Sequence, residues 1–375
     1  MGDDGMTYDA SHITVLEGAE AVRKRPGMYI GSTGPRGLHH MVTGVVEWAA
    51  DVVLAAPDAG SRRHIAVTLA PDGGVRVTDD GPGVPFAAQE APGAPGVPPL
   101  DEQLSRFGPG PRRRAFLLNG WELMTACALS TRLTAEVRRE GVRRVQNYIR
   151  GTATAPPADA GPAADSGTAI TFHPDPEIFT TVEVDRTVLA DRLRELAFLT
   201  PGLTLTLTDE RPPGPPRTAR FHSPAGVAGL LAHLDGPVAG ATEVVTVSVT
   251  TTRGALDAAL RRRGPAEGPP VIRSYANCFP TAEGGVHVEG LRDGLTAALA
   301  GYARAHGLPE PDAEGACAGL TAVVSVRLDA PSFEGSTHGR LGNTEVRPWV
   351  AAAVREHVGA WLDAHPEQAA GLLGG

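Results

Sequence analysis

The sequence predicts an α+β chain of two successive domains, and three observations lead there. Short segments of alternating apolar residues (HIAVTLA, VRVTD, LTLTLTD, EVVTVSVTT, LTAVVSVRLD) read as half-buried strands, and they lie between longer stretches whose apolar residues recur at three- and four-residue spacing. The Pro-rich segment DERPPGPPRTA, from Asp209 to Ala219, reads as a break between two blocks. With 375 residues, the chain is long enough to bury two cores. The expected boundaries are an N-terminal arm over 1–16, a first domain over 17–211 and a second over 212–375.

The first strong helix covers Leu38 to Leu54, where Leu38, Met41, Val42, Val45, Val46, Ala49, Val52 and Val53 form one apolar face. Its opposite face carries Thr43, Gly44, Glu47, Trp48 and Asp51, with Gly44 and Trp48 one above the other. The strand HIAVTLA then turns at Asp72 to Gly74 into VRVTD, a hairpin by its turn chemistry. That second strand ends in Asp79-Asp80-Gly81-Pro82-Gly83, which by itself is a turn signal. Residues 86–115 alternate Pro, Gly and charge and read as a mobile loop or lid around one short helix from Leu100 to Arg106. A helix near Gly120 to Ser130 and a strand pair (RLTAEVRRE, VRRVQNYIRG) follow. GTATAPPADAGPAADSG reads as a flexible hairpin tip, GTAITFHPD as a returning strand and LADRLRELAFL as a helix. In the second block, EVVTVSVTT, PPVIRSYANC and LTAVVSVRLD alternate with the helices LRDGLTAALAGYARAHG and RPWVAAAVREHVGAWLDAHP.

Hydrophobic residues make up 42% of the chain and charged ones 21%, which excludes a fibre or a disordered tail. A net charge of −9 gives no whole-molecule attraction to a nucleic-acid backbone. Cys127, Cys278 and Cys317 are far apart and lack any Cys/His ligand spacing, so free thiols in a reducing compartment are expected and a zinc site is not. The acidic, polar start MGDDGMTYDASH has no leader pattern, and no apolar run reaches the ~18 residues of a membrane span. A cytoplasmic protein without membrane contact is expected.

ITVLEGAEAVRKRPGMYIGSTGPRGLHHMV, from Ile13 to Val42, closely resembles the start of the ATPase region of the bacterial DNA gyrase B and topoisomerase IV family. The resemblance continues through DDGPGVP (79–85), DRLRELAFLTPGLTLTLTD (191–209), GGVHVEGLRDGL (284–295) and AVVSVRLDAPSF (322–333). It implies a Bergerat (GHKL) ATPase domain followed by a ribosomal-protein-S5-like transducer domain, with ATP and Mg²⁺ as cofactors. Carried over residue by residue, it makes Asp79 the carboxylate that accepts the exocyclic amine of adenine, Gly81 and Gly83 the turn under the base, and Thr168 the residue backing Asp79. Val84, Pro85 and Arg139 match positions lining that pocket. Tyr8, with Ile13, matches an arm that wraps onto a partner protomer and implies a homodimer.

Four elements depart from the family pattern. Gly44 stands where the family has the glutamate that activates the attacking water, and losing a general base typically costs about 10²- to 10⁴-fold in rate. Trp48 stands at the Mg²⁺-binding asparagine; an indole has one N–H donor and no oxygen for a hard cation. In the glycine-rich phosphate lid, Leu117-Leu118-Asn119-Gly120-Trp121-Glu122 retains only Gly120, and Glu122 places negative charge where a triphosphate approaches. Arg112, Arg113 and Arg114 lie upstream, either as replacement lid cations or as a solvated loop. The transducer lysine is replaced within Ser336-Thr337-His338, Lys24 being the only lysine of the chain.

The reading that follows is a degenerate gyrase B-like protein with hydrolysis lost or strongly impaired, weak ATP binding and no dependable Mg²⁺ site. The resemblance extends to no metal-binding cleavage domain, so DNA cleavage by this chain alone is not expected and DNA is an indirect partner, reached through gyrase subunits. Two alternatives stand beside it: residual ATP hydrolysis serving a type II DNA topoisomerase, and an adenine-site module for small molecules of the aminocoumarin type.

Overall fold

The computed structural model describes residues 18–55, 63–87, 98–106, 120–236, 243–263, 269–334 and 339–373. Its first part begins with α1 (Gly18–Lys24), α2 (Gly27–Ile30) and the long α3 (Pro35–Ala55), followed by β1 (His64–Leu69) and β2 (Val75–Asp79). Next come α4 (Leu100–Ser105), α5 (Glu122–Ala128), β3 (Ser130–Arg139), β4 (Val142–Ile149), β5 (Thr152–Ala153), β6 (Ala158–Pro162), β7 (Gly167–Pro174), α6 (Arg186–Leu199), β8 (Thr204–Asp209) and β9 (Arg217–Phe221). The strands form one sheet in the order β5-β4-β3-β7-β2-β1-β8-β9, with β6 also on β4. Among the described residues, β1 and β8 are the parallel pair of this sheet. In β1, Ile65, Val67 and Leu69 are buried and alternate with half-buried residues, the pattern of a sheet with one face on the core.

The second part contains α7 (Gly226–Asp235), β10 (Val245–Thr251), β11 (Gly254–Arg262), β12 (Val271–Ala276), β13 (Phe279–Pro280), α8 (Val286–His306), α9 (Ala313–Cys317), β14 (Leu320–Arg327), β15 (Phe333–Glu334), β16 (Arg340–Leu341), α10 (Val346–Ala364) and α11 (Pro366–Leu373). Its main sheet runs β10-β11-β14-β12-β13, with β12 and β14 parallel. The central β14 is buried along nearly its whole length because both faces are covered. One face meets α8 and α10 through Leu291, Leu295, Val350 and Val354. The other joins the core of the first part through Ala259, Tyr275, Cys278 and Val323.

Three expectations change. DERPPGPPRTA spans the end of β8, a hairpin loop and the start of β9, so the first sheet continues through Phe221, beyond the expected boundary at 211. The tip GTATAPPADAGPAADSG contributes β5 and β6, which pair with the open edge of β4, where unpaired backbone groups favour an added strand. The face of α3 opposite its apolar stripe is also interior: Glu47, Trp48 and Asp51 are all buried. Polar groups are tolerated in such a place when they have partners, as Glu47 and Trp48 do.

Candidate functional site

The turn after β2 places two carboxylates in different roles. Asp80 accepts the His64 N–H at 2.9 Å and fastens the start of β1. Asp79 points inward and is 2% exposed. Its Oδ1 accepts the Gly81 N–H at 2.9 Å and the Thr168 N–H at 3.3 Å. Its Oδ2 is buried and has no hydrogen-bond partner among the described residues. Burial pushes the Asp79 carboxyl up to about 7, against the pull of the Gly81 and Thr168 N–H groups.

The neighbours hold this turn in place. The Thr168 hydroxyl accepts the Val84 N–H at 3.1 Å, joining β7 to the segment after the turn. Gly83 has φ +75°, and a Cβ there would lie 2.5 Å from the Arg138 carbonyl oxygen, so only glycine fits. The half-buried Pro85 accepts the Leu100 N–H at 2.9 Å, and Arg139 donates to the Gly83 carbonyl at 3.3 Å. Asp79, Gly81, Gly83, Val84 and Thr168 thus lie together. Beside them, Arg139 lines a cavity of about 270 Å³ together with Phe86, Val137, Glu140, Val142 and Arg144.

Further along α3, Gly44 lines a small chamber of about 30 Å³ with Tyr29, His40, Glu47, Glu122 and Phe279 among its walls. Tyr29 and Trp121 meet edge to face at 6.0 Å over it. Glu47, three residues on and on the same face of α3 as Gly44, shares this chamber. It is bound to Arg192 of α6 at 2.6 Å, and Arg192 also donates to the Cys278 carbonyl at 2.8 Å. Burial raises the Glu47 carboxyl, and the Arg192 guanidinium pulls it back. Trp48, read from the sequence as a pocket-lining residue, is not among the walls of either cavity. Its indole N–H donates to Gln103 Oε1 at 2.7 Å, and Gln103 is itself tied to the Pro98 carbonyl.

At the head of α5, Gly120 has φ +84°, and its N–H is taken by Glu122 Oε2 at 3.1 Å. Tyr8, Ile13, Arg112, Arg113, Arg114 and His338 lie outside the described residues. Among the described residues no group of three or more His, Cys, Asp or Glu side chains could hold a metal ion. Around Gly44 and Trp48 the oxygen donors for a hard cation are few: one position has no side chain, one has an N–H already in use, and the nearby Glu47 is paired with Arg192. Cys127, Cys278 and Cys317 are free and buried, and no described helix is long and apolar enough to cross a membrane.

Sequence reasoning missed Gln103, Arg192 and the placement of Glu122 against Gly44. Gln103 lies in the short helix expected within the Pro- and Gly-rich stretch, but it and Arg192 both pair with α3 residues far away in sequence. An acid on α3 that would need a counter-charge once buried was the one available clue.

Residues 234–374 match the DNA gyrase B family model. The chain is 39% identical over 390 residues to a novobiocin-resistant DNA gyrase B of Streptomyces niveus, covering 98% of this chain and 57% of that protein. It is 40% identical over 382 residues to the DNA gyrase B of Clostridium acetobutylicum, covering 98% and 58%. The chain spans less than two thirds of the length of these curated relatives. Among solved structures, it is similar to the 43K ATPase domain of Thermus thermophilus gyrase B in complex with an aminocoumarin, with TM-score 0.78, 31% identity, and 95% of this chain and 93% of that chain covered. It is also similar to the topoisomerase IV ATP-binding domain of Francisella tularensis in complex with a small-molecule inhibitor, with TM-score 0.76, 28% identity and 96% of each chain covered. The α+β architecture is that of these ATPase domains, and the chain belongs to the DNA gyrase B family.

Proposed function

We propose that this chain is a gyrase B-like protein that binds adenine ligands at Asp79 and has lost efficient ATP hydrolysis. The observation carrying the reading is the contrast between the last turns of α3 and its middle turns. Beside its last turns, Asp79 keeps a buried oxygen with no partner among the described residues, an acceptor suited to an amine N–H. On its middle turns, Gly44 supplies no proton acceptor and Trp48 no oxygen for a cation, which supports weak triphosphate binding without a Mg²⁺ site. The protein then acts through binding and assembly, as a homodimer joined by the arm around Tyr8 and Ile13 and in contact with gyrase subunits, with DNA only an indirect partner. The two domains of the proposal are the GHKL-like part containing Asp79 and the transducer-like part beyond it.

Isothermal titration with ADP and a nonhydrolysable ATP analogue, with and without Mg²⁺, tests this. The expected result is ADP binding that Asp79→Asn abolishes and that Mg²⁺ leaves unchanged. Tight, Mg²⁺-dependent triphosphate binding would overturn the reading in favour of residual hydrolysis serving a type II topoisomerase.

A second reading, binding of an aminocoumarin-type molecule, is favoured by the cavity of about 270 Å³ beside the Arg139–Gly83 contact. Such a ligand at saturation should raise the melting temperature, and Arg139→Ala should remove the shift.

A further inference from the structure

We propose that Glu122 makes the pocket discriminate against nucleoside triphosphates in favour of shorter adenine ligands. The inference rests on Asp79 as the adenine contact and concerns the other end of the same ligand. A Cβ on Gly81 would stand 3.4 Å from Val53 Cγ2, so the Asp79 end lies by the last turns of α3. Gly44 is about 13 Å back along the helix axis at the α-helical rise per residue, roughly the reach of an extended nucleotide from base to terminal phosphate.

Glu122 occupies that end. A Cβ on Gly44 would meet Glu122 Cγ at 3.4 Å and Cβ at 3.6 Å, so the Glu122 stem lies over the bare backbone of α3. The bare backbone of α3 at Gly44 and the acidic side chain from α5 thus face each other at van der Waals range. The Glu122 carboxylate also accepts the Gly120 N–H at 3.1 Å, so an anion of the chain already holds that donor. The remaining chamber, about 30 Å³, has room for about one water. Among the described residues no Lys or Arg lines it, and the buried guanidinium of Arg192 is bound to Glu47 and the Cys278 carbonyl. A terminal phosphate would have to displace Glu122 and meet like charge, whereas adenosine or ADP would stop short of it.

The test is calorimetric titration of adenosine, ADP and a nonhydrolysable ATP analogue into the intact chain and into Glu122→Ala and Glu122→Gln. Wild type should bind ADP at least about 10-fold more tightly than the triphosphate, the factor that ~1.4 kcal/mol of repulsion produces. Glu122→Ala should bring the two affinities close together by strengthening the triphosphate. Glu122→Gln keeps the stem and an acceptor for Gly120, so it should recover part of the effect and serves as the variant safest for folding. Equal ADP and triphosphate affinities in wild type, or a ratio unchanged in both variants, would overturn the proposal while leaving Asp79 as the adenine contact. ADP binding unaffected by Asp79→Asn would overturn that underlying assignment and this inference with it.

Discussion

The Trp48 indole N–H donates to Gln103 Oε1 at 2.7 Å, so the side chain one turn along α3 from Gly44 is fastened to the helix that follows the turn after β2. The bond ties the middle of α3 to α4 and keeps the indole in the core. Replacing Trp48 with phenylalanine keeps most of the packing but leaves Gln103 Oε1 without its donor, at a cost of about 1–3 kcal/mol. Trp48→Ala should cost about 3–5 kcal/mol through the cavity it leaves. Urea unfolding of the two variants checks both values, and Trp48→Asn should not create Mg²⁺-dependent binding.

Asp79 makes stability depend on pH in a defined direction. Its carboxyl is raised from the ordinary value of 3.8 to about 7 in the folded chain, so the folded state holds this proton more tightly than the unfolded one. The contribution is fully present below about pH 4, declines as pH rises toward 7 and levels off above it. The upper bound is about 4 kcal/mol. Comparing urea midpoints of wild type and Asp79→Asn at pH 5 and pH 8 should show wild type losing stability relative to the variant at the higher pH.

The same group sets ligand affinity in the opposite sense. The ionised carboxylate is the stronger acceptor for an amine N–H, so affinity for adenosine should rise as pH approaches 7 and then flatten. Titrations from about pH 5.5 to 8.5 would show this, and a flat profile would argue against Asp79 as the contact.

Arg192 links α3, α6 and the β12–β13 turn through Glu47 and the Cys278 carbonyl. Arg192→Leu leaves the Glu47 carboxylate buried without its counter-charge, and a loss of about 3–5 kcal/mol is expected. The double variant Arg192→Leu with Glu47→Leu should lose less than the sum of the single changes, which a double-mutant cycle by chemical denaturation would reveal.

Restoring the carboxylate on α3 should not restore hydrolysis by itself. A side chain at position 44 meets the Glu122 stem from its first carbon onward, and Gly44→Glu adds a second negative charge beside it. Steady-state phosphate release from Gly44→Glu should remain at the wild-type level.

Much of this was legible in the sequence, and the limits have physical causes. The periodicity of α3 and the VRVTD strand running into Asp79 and Gly81 are local signals, and the structure places them where that pattern puts them. The interior position of Glu47 and Asp51 was not legible, because it depends on α6 and the second sheet closing over α3. Nor was β11, since GALDAALRR is rich in alanine and arginine, weak strand formers, and is held as a strand by pairing with β10 and β14 on either side. The identities of Gly44 and Glu122 were plain from the sequence. Their contact was not, because a lid segment and a helix far apart in the chain meet only in the folded protein.

The contrast between the last and the middle turns of α3 is tested most directly by measuring ADP affinity and Mg²⁺-dependent phosphate release on the same preparations of wild type and Asp79→Asn. The predicted result is ADP binding that the substitution abolishes, with no phosphate release that depends on Asp79. Steady phosphate release in wild type that Asp79→Asn eliminates would contradict it.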